Sequence, residues 1–188
     1  MTEAKFKLTE ETINVNGKTL YRIEALKDFG YIKKGDKGGF VEKEENLSQS
    51  GDCWVYDNAK VYNNAKVFDN ADIYGNASIF GNAVVSGNAR VYGNAEVYDN
   101  ARVFGNAEIC GKAEIANDLD YIVFKNWWSS GRYFTWTRSN NMWKVGCFYG
   151  TSNELIEKAY RDSNESGKEY ERVVKYIESM LKDNNAVA

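Results

Sequence analysis

VYDNAK VYNNAK VFDNAD IYGNAS IFGNAV VSGNAR VYGNAE VYDNAR VFGNAE ICGKAE, running from Val55 to Glu114, repeats one six-residue phrase ten times in unbroken register. Valine or isoleucine stands first and alanine fifth in every unit. That period is the sequence sign of a hexapeptide β-helix, in which each unit contributes one short strand and one corner. In Ala59-Lys60-Val61-Tyr62, strand alternation sends Ala59 and Val61 inward and Lys60 and Tyr62 outward. The corner pair that follows is Asp, Asn or Gly and then Asn in almost every unit, residues that tolerate the left-handed backbone of a sharp turn. Three sides close one coil of about eighteen residues, and the ten hexads predict a prism about 16 Å tall. Its alanine and valine interior is narrow and dry, with no room for a ligand.

Residues one coil apart stack, so the outer faces are legible too. One carries Asp72, Arg90 and Glu108 beside Tyr74, Tyr92 and Cys110. Its alternating charges contribute about 0.2–1 kcal/mol per pair. A second stacks Lys60, Ser78, Glu96 and Glu114 beside Tyr62, Phe80 and Tyr98. The third stacks Lys66, Val84 and Arg102 with Phe68, Ser86 and Phe104, and is the least charged. Phe68, Val84 and Phe104 are candidates for an oligomer interface, dimeric or trimeric. The alternative is that aromatic ladders only stabilise the coils that carry them.

Outside the array, TINVNGKTLYRI predicts a hairpin around Asn16-Gly17. After it, Val41, Leu47 and Cys53 keep a six-residue interval, as degenerate opening hexads followed by a two-residue slip. A solenoid needs atypical ends to cover its open edge, and residues 1–54 are expected to be that cap. Residues 55–118 form the β-helix and 119–188 a C-terminal α+β domain. There Tyr121–Lys125, Tyr133–Arg138 and Met142–Tyr149 predict a three-stranded meander. Thr151-Ser152-Asn153-Glu154 has capping-box form ahead of a helix through Leu155, Ile156, Ala159 and Tyr160. A second helix carries Tyr170, Val173, Val174, Ile177, Met180 and Leu181 on one stripe, and the closing DNNAVA is expected to fray. The fold class is therefore mainly β.

Composition narrows function. The chain of 188 residues has 43% hydrophobic and 27% charged residues and a net charge of -3, with no basic excess to hold nucleic acid by bulk charge. No stretch has the length and apolarity of a membrane span, and the first ten residues lack a signal-peptide centre, so the cytosol is the expected compartment. Three scattered cysteines without a CxxC argue against a disulfide framework or a metal site, and no cofactor is expected. There is no histidine at all. Hexapeptide-repeat acyltransferases resemble one another in using a histidine base, and the related carbonic anhydrases hold zinc with histidines, so neither chemistry is open here by that route.

Four of the five tryptophans fall in the last segment, together with Arg132 and Arg138. Trp127, Trp128, Arg132, Tyr133, Trp136 and Arg138 are the candidate ligand- or partner-binding residues, because aromatic faces and guanidinium suit a stacked anionic or nucleotide-like ligand. The competing reading is that tryptophan fills the core of a small sheet under two helices, and that Cys147 is a buried small hydrophobe.

LYRIEALKDFG, GDKGGFVEKEENLSQSGDCWVYDNA, the GNA hexads and GCFYGTSNELIEKA together resemble a group of hypothetical proteins encoded by bacteriophages and prophages. The specific parts are the opening phrase and Gly146-Cys147-Phe148 with Gly150-Thr151; Ser130-Gly131-Arg132 and Thr135/Thr137 match the group's pattern loosely. The resemblance to hexapeptide-repeat proteins implies a left-handed coil, against the usual right-handed crossover. The phage resemblance implies a bacterial host cytosol and a non-catalytic binding or assembly protein. Such a protein could counter host defence by binding a host protein or sequestering a nucleotide signal. The alternative is an acyltransferase-like enzyme that has lost its histidine.

Overall fold

The computed structural model describes residues 3–185, with side chains through 182, so the expected fraying of the closing DNNAVA (183–188) lies outside the described side chains, and its last three residues outside the described backbone. The chain divides into two compact units, residues 1–121 with 137–140, and residues 122–136 with 141–188.

The first unit opens with strands β1 (Phe6–Val15) and β2 (Lys18–Ala25), joined at Asn16 and Gly17 with φ of 52° and 81°. Two successive positive φ values are what a type I′ hairpin turn requires, and the Asn-Gly pair meets that demand. β3 (Lys37–Val41) follows. Eleven two-residue strands then succeed one another: β4 (Trp54–Val55), β5 (Lys60–Val61), β6 (Lys66–Val67), β7 (Asp72–Ile73), β8 (Ser78–Ile79), β9 (Val84–Val85), β10 (Arg90–Val91), β11 (Glu96–Val97), β12 (Arg102–Val103), β13 (Glu108–Ile109) and β14 (Glu114–Ile115). They stack as three parallel sheets, β3-β5-β8-β11-β14, β4-β7-β10-β13 and β6-β9-β12, a solenoid of about four turns consistent with a left-handed β-helix. All inward valines, isoleucines and alanines of the array are completely buried, and the three outer columns are those expected.

The corner chemistry differs from expectation in one respect. Only the first residue of each pair takes positive φ, as at Asp57, Asn63, Asp69 and Gly75. The asparagine after it builds a ladder instead: Asn64 Nδ2 donates to Asn82 Oδ1 at 3.1 Å and Asn82 to Asn100 at 3.2 Å, one coil on each time. The asparagine is thus selected for a repeated side-chain hydrogen bond rather than for backbone tolerance.

The opening coil is longer than the others. Val41 pairs with Val61 and Leu47 bridges to Val67, each 20 residues on, whereas Val55 pairs with Ile73, 18 on. The two-residue slip lies between Leu47 and Val55, so Val55, not Cys53, takes the third inward place. Cys53 is buried elsewhere, against Lys5. β2 adds antiparallel to β3, which extends one sheet into the hairpin. Leu20, Ile13 and Val15 then cover Phe40, Tyr62 and Phe80, so outward Tyr62 is buried by the cap. Gly38 permits the close approach: a Cβ there would stand 2.5 Å from Val55 O and 2.6 Å from Ile23 Cγ1.

The second unit holds β15 (Tyr121–Lys125), β16 (Tyr133–Thr137), β17 (Met142–Val145) and β18 (Phe148–Gly150) in that spatial order. This is four strands where three were expected. Gly146, at φ 56°, opens a two-residue turn that folds Met142–Tyr149 back on itself, pairing Val145 with Phe148. Cys147 sits at the turn and is exposed, which corrects its reading as a buried hydrophobe. Thr151 caps α1 (Ser152–Asp162) with the expected box, its Oγ1 accepting from Glu154 N and its N–H donating to Glu154 Oε2 at 2.8 Å. α2 (Asn164–Asn185) follows after Ser163 and lays Tyr170, Val174 and Ile177 into the core with Phe134, Trp136 and Trp143. Among the described residues no helix is long and apolar enough to cross a membrane.

Candidate functional site

The loop between β15 and β16 is ordered by one buried side chain. Asn126 Oδ1 accepts the N–H of Trp128 at 3.0 Å and of Ser129 at 3.2 Å, while its Nδ2 donates to Ser129 Oγ at 3.1 Å. Its own N–H donates to Arg132 O at 2.8 Å and closes the loop. This is an Asx turn whose amide is removed from solvent, so every hydrogen bond it makes holds the loop shape. What the loop displays is apolar: Trp127 is 76% and Trp128 72% exposed. Lys125 Nζ lies 4.8 Å from the Trp127 ring centroid and 5.8 Å from that of Tyr133, a cation over two aromatic faces. Arg132 is exposed, and its stem crosses Gly146, where a Cβ would come within 3.2 Å of Arg132 Cδ.

Beside the loop, Trp128 faces α2. With Val173 and Tyr176, and the Glu169–Arg172 ion pair at its rim, it lines a cleft of about 270 Å³. Tyr176 is 63% exposed. Trp127, Trp128 and Tyr176 are rigid aromatic groups carrying a polar edge, the kind that anchors protein interfaces.

The six residues singled out in the sequence do not converge. Trp127, Trp128, Arg132 and Tyr133 belong to this loop and its margin. Trp136, 3% exposed, lies in the core beside Trp143, 1% exposed, whose Nε1 donates to Ser152 Oγ at 3.1 Å. The edges of both rings floor a separate cavity of about 460 Å³ under Ile177 and Leu181. Arg138 belongs to the first unit, its N–H donating to Asp120 O at 2.8 Å. Asn126, Lys125 and Tyr176 escaped sequence reasoning. Asn126-Trp127-Trp128-Ser129 is an Asx-turn pattern, and Tyr176 is an aromatic off the apolar stripe of its helix; both signals were present.

On the solenoid, Phe68 and Val84 are half-buried and Phe104 half-exposed along one outer face. Arg102 at the end of that face is held by Asp118, and the Tyr121 hydroxyl donates to Arg102 O at 3.0 Å. The opposite resource for chemistry is small. Asp72 is the one carboxyl among the described residues whose pKa is raised, by burial, and Tyr56 OH donates to it at 3.3 Å with Arg90 4.0 Å away. Burial pushes Tyr74 up to about 12 and raises Tyr56 as well, so neither phenol releases a proton near neutral pH. Tyr56, Asp57, Asp72, Tyr74 and Arg90 line a shallow opening of about 310 Å³ with no thiol or amine nucleophile in its lining. Among the described residues no group of three or more His, Cys, Asp or Glu is placed to hold a metal ion.

No family model matches the chain. A stretch of 38 residues is 42% identical to an uncharacterized acetyltransferase, YdcK, of Escherichia coli (strain K12). It covers 20% of this chain and 12% of that protein, so the chain spans a small part of the relative it matches. The likeness is to an acetyltransferase-like hexapeptide-repeat protein, in agreement with the β-solenoid.

Proposed function

We propose that this chain is a non-catalytic binding protein whose exposed tryptophan loop takes a protein partner. The carrying observation is Asn126: a buried amide spends its hydrogen bonds on holding Trp127 and Trp128 out in solvent. Two tryptophans left to themselves would fold against the sheet, as Trp136 and Trp143 do. The resemblance to phage and prophage proteins supports a host protein as the partner, with interference in host defence as the consequence of binding. Self-association belongs to the Phe68, Val84 and Phe104 face, which has the least free charge.

The test is native mass spectrometry of the untagged protein purified from cells, beside Trp128→Ala and Arg132→Ala. A bound protein retained by the wild type and lost from both variants, with circular dichroism unchanged, supports the reading. Binding unchanged in both variants overturns it. Extra mass of small-molecule size would turn the assignment to a sequestered nucleotide-like ligand.

A second reading rests on the match to the acetyltransferase and on the raised carboxyl of Asp72. It makes the chain an acyl-transferring enzyme without histidine. A ligand that binds only the folded chain must stabilise it, so acetyl-CoA at millimolar concentration would raise the melting temperature under this reading and leave it unmoved under the first.

A further inference from the structure

Lys5 is the only lysine, arginine or acidic residue that is fully buried among the described residues. Its Nζ lies 3.0 Å from Cys53 O, 3.3 Å from Gly51 O and 3.4 Å from Ser50 O, carbonyls of the segment where the opening coil takes its two extra residues. The fourth neighbour is the Cys53 sulfur at 3.2 Å, and the Phe29 ring centroid is 5.1 Å away. Among the described residues no carboxylate forms an ion pair with the amine, though the charge of Asp52 is near enough to act on it. Burial lowers the pKa of Lys5 and raises that of Cys53, in each case against the opposing pull of the other group.

We propose that Lys5 and Cys53 are a redox-sensitive pair that hydrogen peroxide converts to a covalent N–O–S cross-link. One peroxide oxidises the thiol to the sulfenic acid and releases water. A second oxidises the amine to a hydroxylamine, again with release of water. The hydroxylamine oxygen then attacks the sulfenic sulfur, and the sulfenic hydroxyl leaves as a third water. Nitrogen and sulfur each lose two electrons, the two peroxides take up the four, and the product keeps one bridging oxygen.

Ser48, Gln49 and Ser50 wall an open depression of about 630 Å³, and Cys53 Sγ lies 3.8 Å from the carbonyls of both Ser48 and Ser50. The thiol itself is fully buried behind these residues, so the oxidant reaches it by local opening of the Ser48–Ser50 segment. The product would tie the start of β1 to the opening coil and enclose the whole hairpin in a closed loop, a constraint that acts on the unfolded chain as a disulfide does. Cys147, free and exposed at its turn, serves as the internal comparison.

The test treats the full chain with increasing hydrogen peroxide, followed by intact mass and peptide mapping without reductant. The expected product has gained one oxygen and lost two hydrogens, maps to the peptides carrying Lys5 and Cys53, and reverts with dithiothreitol. It melts at a higher temperature than the untreated chain. Cys53→Ser, which keeps a hydrogen-bonding group beside Lys5, should lose both the mass change and the thermal shift. Oxygen added at Cys53 without loss of hydrogen, or an unchanged Lys5–Cys53 pair while Cys147 is fully oxidised, overturns the proposal, and the wild-type mass decides even if Cys53→Ser does not fold.

Discussion

In the solenoid Tyr74 lies over Tyr92 with ring centroids 4.6 Å apart and planes 4° apart, and Tyr62, Phe80 and Tyr98 stack almost as flat. In the C-terminal unit Phe134 meets Trp143 at 84° and Tyr170 at 69°, edge to face. Translation by one coil puts like above like, so a ladder follows from the repeat, except at its first rung, where Tyr56 meets Tyr74 edge to face at 88°. Without a repeat, each aromatic finds its own packing, and neighbours in sequence part company. Trp127 and Trp128 join neither a ladder nor a core. An aromatic pair held outside both belongs to neither regime, and mutation can set the two regimes against each other.

The largest effect belongs to the interior of the array. Val91→Asp would bury an unpaired carboxylate in a dry prism where every neighbour is valine, isoleucine or alanine, and should cost about 4 kcal/mol or more, enough to unfold the solenoid. Lys60→Asp, one residue from inward Val61 but facing outward, should change stability by no more than about 0.5 kcal/mol. Urea unfolding of both variants reads the difference directly. Equal losses would mean that inside and outside are not set by the hexad.

Next come the tryptophans. Trp143→Ala removes a wholly buried ring and its bond to Ser152, at a cost of about 3–5 kcal/mol. Trp128→Ala removes a ring that already stands in solvent and should cost less than about 1 kcal/mol while abolishing partner binding. If thermal melting ranks the two alike, the loop is part of the fold and not a display.

These contrasts explain what was legible. Inward Val and Ala, outward Lys and Glu, the Asn16-Gly17 turn and the Thr151 cap are all dictated locally, by a period or by a few adjacent residues. The fate of Trp127, Trp128, Trp136 and Trp143 is not, because all four sit in strand-and-loop text of the same composition. Only the packing of α2 on the sheet separates core from display. The Gly146 turn was legible in principle, since glycine followed by any residue between two strands is a two-residue hairpin loop, but the run of hydrophobic residues on either side masked it.

A smaller effect distinguishes corners that look identical in sequence. Gly87 and Gly105 both have positive φ, 69° and 71°. A Cβ at Gly87 would stand 2.9 Å from Gly105 N, whereas one at Gly105, in the last coil, meets nothing within 4 Å. Gly105→Ala should cost the left-handed strain alone, about 1 kcal/mol, and Gly87→Ala should cost about 1–2 kcal/mol more, because backbone must shift in the next coil. Denaturant midpoints of the two variants give the comparison, and equal midpoints would mean that adjacent coils are not packed backbone to backbone at that corner.

The smallest effect is in acid, where the hairpin cap and the solenoid face respond with opposite sign. Glu42 accepts Lys18 Nζ at 2.8 Å and the Asn63 N–H at 2.5 Å, and the Lys18 bond most of all holds its carboxyl below the ordinary 4.5. Its stabilisation is complete above the unfolded value and disappears as pH falls through the lower folded value. Asp72 is raised above 3.8 by burial, so its charge costs stability at neutral pH, and that cost is relieved as pH falls through its raised folded value. Both groups are partly solvated, which limits each to about 1 kcal/mol or less. Melting temperature measured between about pH 3 and 6 should therefore show Asp72→Asn flattening the upper part of the profile and Glu42→Gln the lower. A Glu42→Gln profile parallel to that of the wild type throughout would mean that the hairpin is held to the first corner by apolar contact alone, through Leu20 and Tyr62, with the ion pair adding nothing.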